Sequence, residues 1–219
     1  MLTGIVCFAA ASLQQIGIVY TTAGKAGFIT TLYIVLVPVI LIFFKKKTSF
    51  LVWIGVVIGA FGLYLLCITD GFSIGIGDGF VMACAVFYAL QIIFVDMYVD
   101  KVDPVRLAFV EFLVTGVLSG ICMLIFEDIR MQGVIDCAVP ILYTAVMEVS
   151  VAFTLEIFGQ KYTPPAIAAI LMSFESVFAA LCGAIFLGEV MTGREIAGCG
   201  AMFAAVIICQ LPPLNISKK

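Results

Sequence analysis

The chain has 219 residues, of which 64% are hydrophobic and only 11% charged, with a net charge of −3. An ordinary soluble domain carries about 25% charged residues, so this composition excludes a water-soluble globule and asks for a lipid environment. Histidine is absent, as is any phosphate loop of the GxxxxGK type, and with no gap wide enough for a soluble domain the usual parts of a hydrolase, an ATPase or a redox enzyme are missing.

A hydrocarbon core about 30 Å thick needs roughly 20 apolar residues at about 1.5 Å per helical residue. Eight such spans are predicted: Leu2 to Tyr20, Phe28 to Phe44, Leu51 to Ile68, Gly79 to Tyr98, Val105 to Phe126, Cys137 to Phe158, Pro165 to Leu187 and Ile196 to Leu211. Inside lipid each backbone amide must be bonded within its own segment, so the spans are expected to be helices. The fold class is an all-α, polytopic helical bundle.

The first span runs straight from Met1 with no basic leader, so no cleaved signal peptide is expected. It carries Gln14 and Gln15 and ends at Tyr20; Thr21, Thr22 and Gly24 break the chain, and Lys25 just precedes the second span, which holds Thr31 and Tyr33. Lys45, Lys46 and Lys47 form a basic turn, read as a topology signal or an anionic-lipid contact. On the third span Gly55, Gly59 and Gly62 follow small-xxx-small spacing, as do Ala197, Ala201 and Ala205 on the last; such faces pack closely inside a bundle or between the copies of a homodimer. Asp70, Gly71, Gly75, Gly77 and Asp78 break the third pair, before a fourth span with Tyr88 and Gln91 that ends at Tyr98. Pro104, and Pro164 with Pro165, stand where helices accept proline, in the first turn. The fifth span carries Glu111. The sixth carries Tyr143, Thr144, Glu148, Ser150 and Glu156, and the seventh Glu175. Eight cysteines without a CxxC pair read as small buried hydrophobes, with no metal set and no cofactor implied.

With an even number of spans both ends share one side. That side collects Lys45, Lys46, Lys47, Lys101, Arg106, Lys161, Lys218 and Lys219, leaving Lys25, Arg130 and Arg194 opposite; this bias of eight against three places both termini in the cytoplasm. The gaps around Asp70 to Asp78 and around Glu127, Asp128 and Asp136 then face outward.

Four glutamates interrupt apolar spans with no Lys or Arg deep in any span to pair with them. A charged group at mid-bilayer costs about 2.5 to 3.5 kcal/mol on insertion scales unless it lines water, binds a proton or finds a partner. A shared polar cavity resolves this for Glu148 and Glu175, near the middle of their spans, with helix-to-helix hydrogen bonding as the alternative. Glu111 and Glu156 lie closer to span ends, where snorkelling competes. Burial disfavours the charged form of a carboxyl, which makes proton-coupled transport accessible. Gln14, Gln15, Tyr33, Tyr88, Gln91 and Tyr143 are the neutral candidates for a midplane site on apolar walls.

Two segments, LQQIGIVYTTAGKAGFITTLYIVLVP at Leu13 to Pro38 and GQKYTPPAIAAILMSFESVFAALCGAIFLGE at Gly159 to Glu189, resemble the matching segments of the drug/metabolite transporter superfamily, in its EamA branch. The Tyr-Thr-Pro-Pro opening at Tyr162, the Phe-Glu-Ser-Val at Phe174 and the closing Leu-Gly-Glu at Leu187 look like that family's penultimate helix. The resemblance implies a ten-helix fold of two inverted five-helix repeats, of which this chain carries about eight helices: a first repeat at 1–69 without its first two helices, and a complete second repeat at 77–215. Either the start lies upstream or the product is truncated. Sliding the chain by 143 residues superposes Phe28 to Phe44 on Leu171 to Leu187 and pairs Gly55 with Gly198. Glu175 matches the family's mid-helix glutamate, whereas Glu111, Glu148 and Glu156 stand near positions where the family has neutral Gln or Ser.

The expected function is therefore a secondary transporter of the inner (plasma) membrane that works by alternating access and moves a small metabolite; an acidic, cation-poor cavity favours amino acids or amines. Its expected partners are that substrate and the bilayer, with no nucleic acid. Two rivals stay open: an intramembrane enzyme using Glu148 and Glu175 as an acid pair, and a truncated or regulatory membrane protein without turnover. The topology is directly checkable. Reporter fusions after Lys47 and after Lys219 are expected in the cytoplasm and one near Gly75 outside, and the reverse pattern at Lys47 and Gly75 overturns the assignment.

Overall fold

Backbone amides that water cannot reach are satisfied by helix throughout: a computed structural model describes residues 1–46, 48–68, 75–126, 131–186 and 190–211, and among these there is helix and no strand. The predicted features at Lys47, Asp70, Gly71, Glu127, Asp128, Arg130, the closing Leu187 to Glu189, Lys218 and Lys219 lie outside the described residues.

The helices are α1 (Leu2–Ile18), α2 (Ala23–Thr31), α3 (Tyr33–Phe43), α4 (Phe50–Cys67), α5 (Ile76–Tyr98), α6 (Pro104–Phe126), α7 (Met131–Asp136), α8 (Ala138–Tyr143), a π-helical segment (Thr144–Ala152), α9 (Phe153–Gln160), α10 (Pro165–Met172), α11 (Phe174–Phe186) and α12 (Gly193–Gln210). Seven stretches among the described residues are long and apolar enough to cross a bilayer: Gly24–Phe43, α4, α5, α6, Ala138–Gln160, Pro165–Phe186 and α12. The first predicted span is the shorter apolar α1 of 17 residues. The fourth span starts earlier than expected, because Gly75 is the N-cap of α5 and Gly77 and Asp78 belong to its first turn. Asp78 accepts from the Gly75 amide at 2.8 Å, so a residue read as a gap breaker is a helix starter. Pro104 and Pro165 open α6 and α10 as expected, and a capping box at Thr192 and Glu195 opens α12.

Three of the spans are interrupted, each in its own way. Between α2 and α3, Leu32 leaves the α-helical pattern, its amide donating to the Ile29 carbonyl at 3.2 Å. Between α10 and α11, the Ser173 hydroxyl donates to the Ile170 carbonyl at 2.6 Å. Between α8 and α9 the chain winds wider, and the Phe153 amide reaches back five residues to the Glu148 carbonyl.

α3 sits at the centre. Its Tyr33, Ile34, Val37 and Leu41 pack with Val52 and Val56 of α4, Ala89, Ile92 and Ile93 of α5, Ala166, Ala169 and Ile170 of α10, and Ala205 and Cys209 of α12. The most extensive helix pairs are α4 with α12 and α1 with α5. Both depend on glycine: a Cβ on Gly62 would lie 2.8 Å from the Gly198 carbonyl oxygen, and one on Gly77 2.7 Å from that of Gly17. The glycine face of α4 is thus used within the chain, against Gly198, Met202, Ala205 and Cys209; on α12 Ala205 is buried while Ala197 stays exposed. α6 instead shows Phe109, Leu113, Val117 and Leu124 outward, the surface expected against acyl chains.

These crossings can be tested by volume. Gly62→Val pushes the α4 and α12 backbones apart and is expected to lower stability by about 1–3 kcal/mol in detergent-titrated unfolding. Gly116→Ala, where nothing lies within 4 Å of the added carbon, is expected to change it by less than about 0.5 kcal/mol.

Candidate functional site

The three interrupted spans surround a cavity of about 740 Å³. Its walls are Gln14 of α1, Thr30 of α2, Tyr33 of α3, Tyr88, Gln91 and Ile92 of α5, Glu148 and Ala152 of the π-helical segment, Phe153, Glu156, Gly159 and Gln160 of α9, Thr163, Ala168, Leu171 and Met172 of α10, and Glu175 and Phe178 of α11. No Lys or Arg is among them.

On one wall the polar groups are tied to each other. Tyr88 Oη donates to Gln14 Oε1 at 3.3 Å, and Gln14 Nε2 donates to Thr30 Oγ1 at 3.3 Å, so a single chain of hydrogen bonds links α5, α1 and α2. On α9, Gln160 Nε2 donates to Glu156 Oε1 at 3.1 Å, an i to i+4 pair on one helix face. Glu148 and Glu175 are exposed to the open side, and neither carboxyl has a hydrogen bond or ion pair within the described residues.

Of the ten residues named from sequence, Gln14, Tyr33, Tyr88, Gln91, Glu148, Glu156 and Glu175 line the cavity. Glu156 does so rather than snorkelling. Gln15 is exposed off the cavity, because adjacent helical residues point about 100° apart. Tyr143 is exposed outside it as well. Glu111 is fully buried behind the wall and does not reach the interface; its Oε1 accepts from Gln91 Nε2 at 2.8 Å. The hydroxyls of Thr31, Thr144 and Ser150 turn back onto carbonyls four or five residues earlier in their own spans. Thr30, Gln160 and Thr163 were not foreseen. Thr30 lies three residues before Tyr33 and Gln160 four after Glu156, so helical spacing from an accepted candidate was the usable signal.

Among the described residues, the ion-paired Lys25 and Lys46 lie outside this cavity. Lys25 bonds Asp78 at 2.8 Å, where Thr21 Oγ1 also donates to Asp78 at 2.5 Å, and Lys46 bonds Asp96 at 2.6 Å. Asp78 and Asp96 stand near opposite ends of α5, Lys25 lies in the first turn of α2 and Lys46 just beyond α3, so two ion pairs link these spans near their ends.

Comparison with known proteins agrees with this architecture. The chain is 33% identical over 214 residues to an uncharacterized transporter of Archaeoglobus fulgidus, covering 95% of this chain and 67% of that protein. A crystal structure superposes with a TM-score of 0.82 at 18% identity, over 96% of this chain and 76% of the other, a likeness of fold. The model of the EamA-like transporter family matches residues 75–210. With a matching family model, a transporter relative and membrane-length helices around a polar cavity, the chain belongs to the EamA-like transporters of the drug/metabolite superfamily and is a multi-pass membrane transporter.

Proposed function

We propose that the chain is a secondary transporter carrying a small cationic metabolite, an amine or an amino acid, through this cavity by alternating access across the inner membrane, with both termini cytoplasmic. The observation that carries the reading is the lining itself: Glu148, Glu156 and Glu175 with no basic side chain among the described wall residues. In a medium of low dielectric such a wall attracts an ammonium group and disfavours an anion. The aromatic rings of Tyr33, Tyr88, Phe153 and Phe178 supply faces for the same cation.

The helix breaks support the alternating-access part. Discontinuous helices in corresponding positions of two halves are where transporters of inverted-repeat design place their sites. The break at Leu32 falls within two residues of the break at Ser173 under the 143-residue offset, and both adjoin the cavity through Thr30, Tyr33, Met172 and Glu175. We read 1–69 and 77–215 as the two repeats on this basis. A carboxyl that exchanges a proton for the cation would couple the cycle to a proton gradient, and Glu148 and Glu175 are placed for it.

Transport in proteoliposomes tests the reading. In a transport-competent protein, uptake of labelled amines or amino acids is expected to fall at least tenfold in Glu175→Gln and to lose its pH dependence in the Glu148→Gln, Glu175→Gln pair, with helicity and thermal unfolding unchanged. Wild-type uptake with unchanged pH dependence in the double substitution would reduce both glutamates to helix-contact groups.

A further inference from the structure

Glu111 is the one candidate carboxyl that does not line the cavity, and its surroundings do not suit a charge. It is completely buried on α6; Oε1 accepts from Gln91 Nε2 at 2.8 Å, and Oε2 has no hydrogen-bond partner. The Thr3 hydroxyl on α1 is likewise buried and faces it, the two standing beside each other without a hydrogen bond of good geometry. Neither described ion pair involves Glu111. The ionisable groups that act on it are Cys7 of α1, Glu156 of α9 and the amino group of Met1, while α5 presents the neutral Gln91. Thr115, one helical turn along α6, spends its hydroxyl on the carbonyls of Gly4 and Glu111 and leaves the carboxyl alone.

We propose that Glu111 is a proton-binding site set behind the cavity wall, whose state is read into the cavity through Gln91. The proposal rests on the transporter reading for its use, and the site itself rests on geometry. A proton on Oε2 makes the carboxyl neutral, and the buried Thr3 hydroxyl beside it accepts from that O–H as readily as it donates to the ionised oxygen, so the neutral acid keeps its polar contacts without a buried charge. Oε1 stays the acceptor that Gln91 already uses. Loss of the proton leaves a charge in a buried site with no ion-pair partner among the described residues, which is costly, and turns the Gln91 contact into a charge-assisted bond that grips the amide harder. Gln91 is itself a wall residue. The same charge also faces Glu156 on the opposite side of the wall, so both a neutral and an acidic cavity group sense whether Glu111 holds its proton.

Infrared difference spectroscopy of the lipid-reconstituted full chain, titrated with pH, tests this without a substrate. At neutral pH the wild type is expected to show a carboxylic-acid C=O band that disappears in Glu111→Gln, a near-isosteric change that keeps the Gln91 bond. In Gln91→Leu the band is expected to remain and to shift in frequency, because its carbonyl oxygen loses the donor. A wild-type spectrum from which Glu111→Gln removes no acid band at neutral pH overturns the proton site. A band that Glu111→Gln removes and Gln91→Leu leaves unshifted overturns the link to the cavity. A protein that gives both expected spectra and carries no amine or amino acid contradicts the proposed cationic-substrate reading alone.

Discussion

Water is scarce inside a bilayer, and every polar group placed there must find a partner, a proton or a wet cavity. The backbone meets this demand by helix, and where the helices break the freed groups are met locally. The Ser173 hydroxyl covers the Ile170 carbonyl, and the π-helical turn passes the Glu148 carbonyl to the Phe153 amide. Side chains meet the same demand in three ways. Gln14, Tyr88 and Thr30 bond one another, Glu111 bonds Gln91 behind the wall, and Glu148 and Glu175 turn to the open cavity. The placement of the breaks and the placement of the acids are one problem solved together.

The close crossings make that arrangement affordable in stability. In lipid the hydrophobic effect gives no drive for apolar helices to associate, so backbones must approach closely enough for dispersion and packing to hold them. Gly62 against Gly198 and Gly17 against Gly77 provide such approaches for the pairs α4–α12 and α1–α5. α3 packs between α4, α5, α10 and α12, while the Ala138–Gln160 span leaves its midsection exposed. Among the described residues the cavity therefore has one wall in the packed core and another in a span with few neighbours.

Much of the fold was legible because bilayer thickness imposes a length on each span and proline and acidic caps mark where spans begin. The predicted and observed limits of the α4, α6 and α10–α11 spans agree within a residue or so. Asp78 was misplaced because an acidic residue after glycines reads equally as a turn or as the first turn of a helix. The interruptions at Leu32 and Ser173 were not legible, since neither residue is proline or glycine and the break depends on packing. Site residues were legible as types and not as faces. Polar residues in an apolar run stand out, but Gln14 and Gln15 are equally conspicuous in sequence and only the packing of α1 chooses between them. Glu111 shows the same limit in depth, because span position left snorkelling to the interface and a functional role equally open, while the contacts of α6 with α1 and α9 enclose it.

The central claim is that the cavity between the broken helices is where a cationic solute sits. A structure of the lipid-embedded protein determined with a transported amine bound tests it most directly. The account predicts the ammonium nitrogen inside this cavity, within hydrogen-bonding distance of Glu148, Glu156 or Glu175. An amine bound elsewhere, with the cavity filled by a lipid tail, would contradict it.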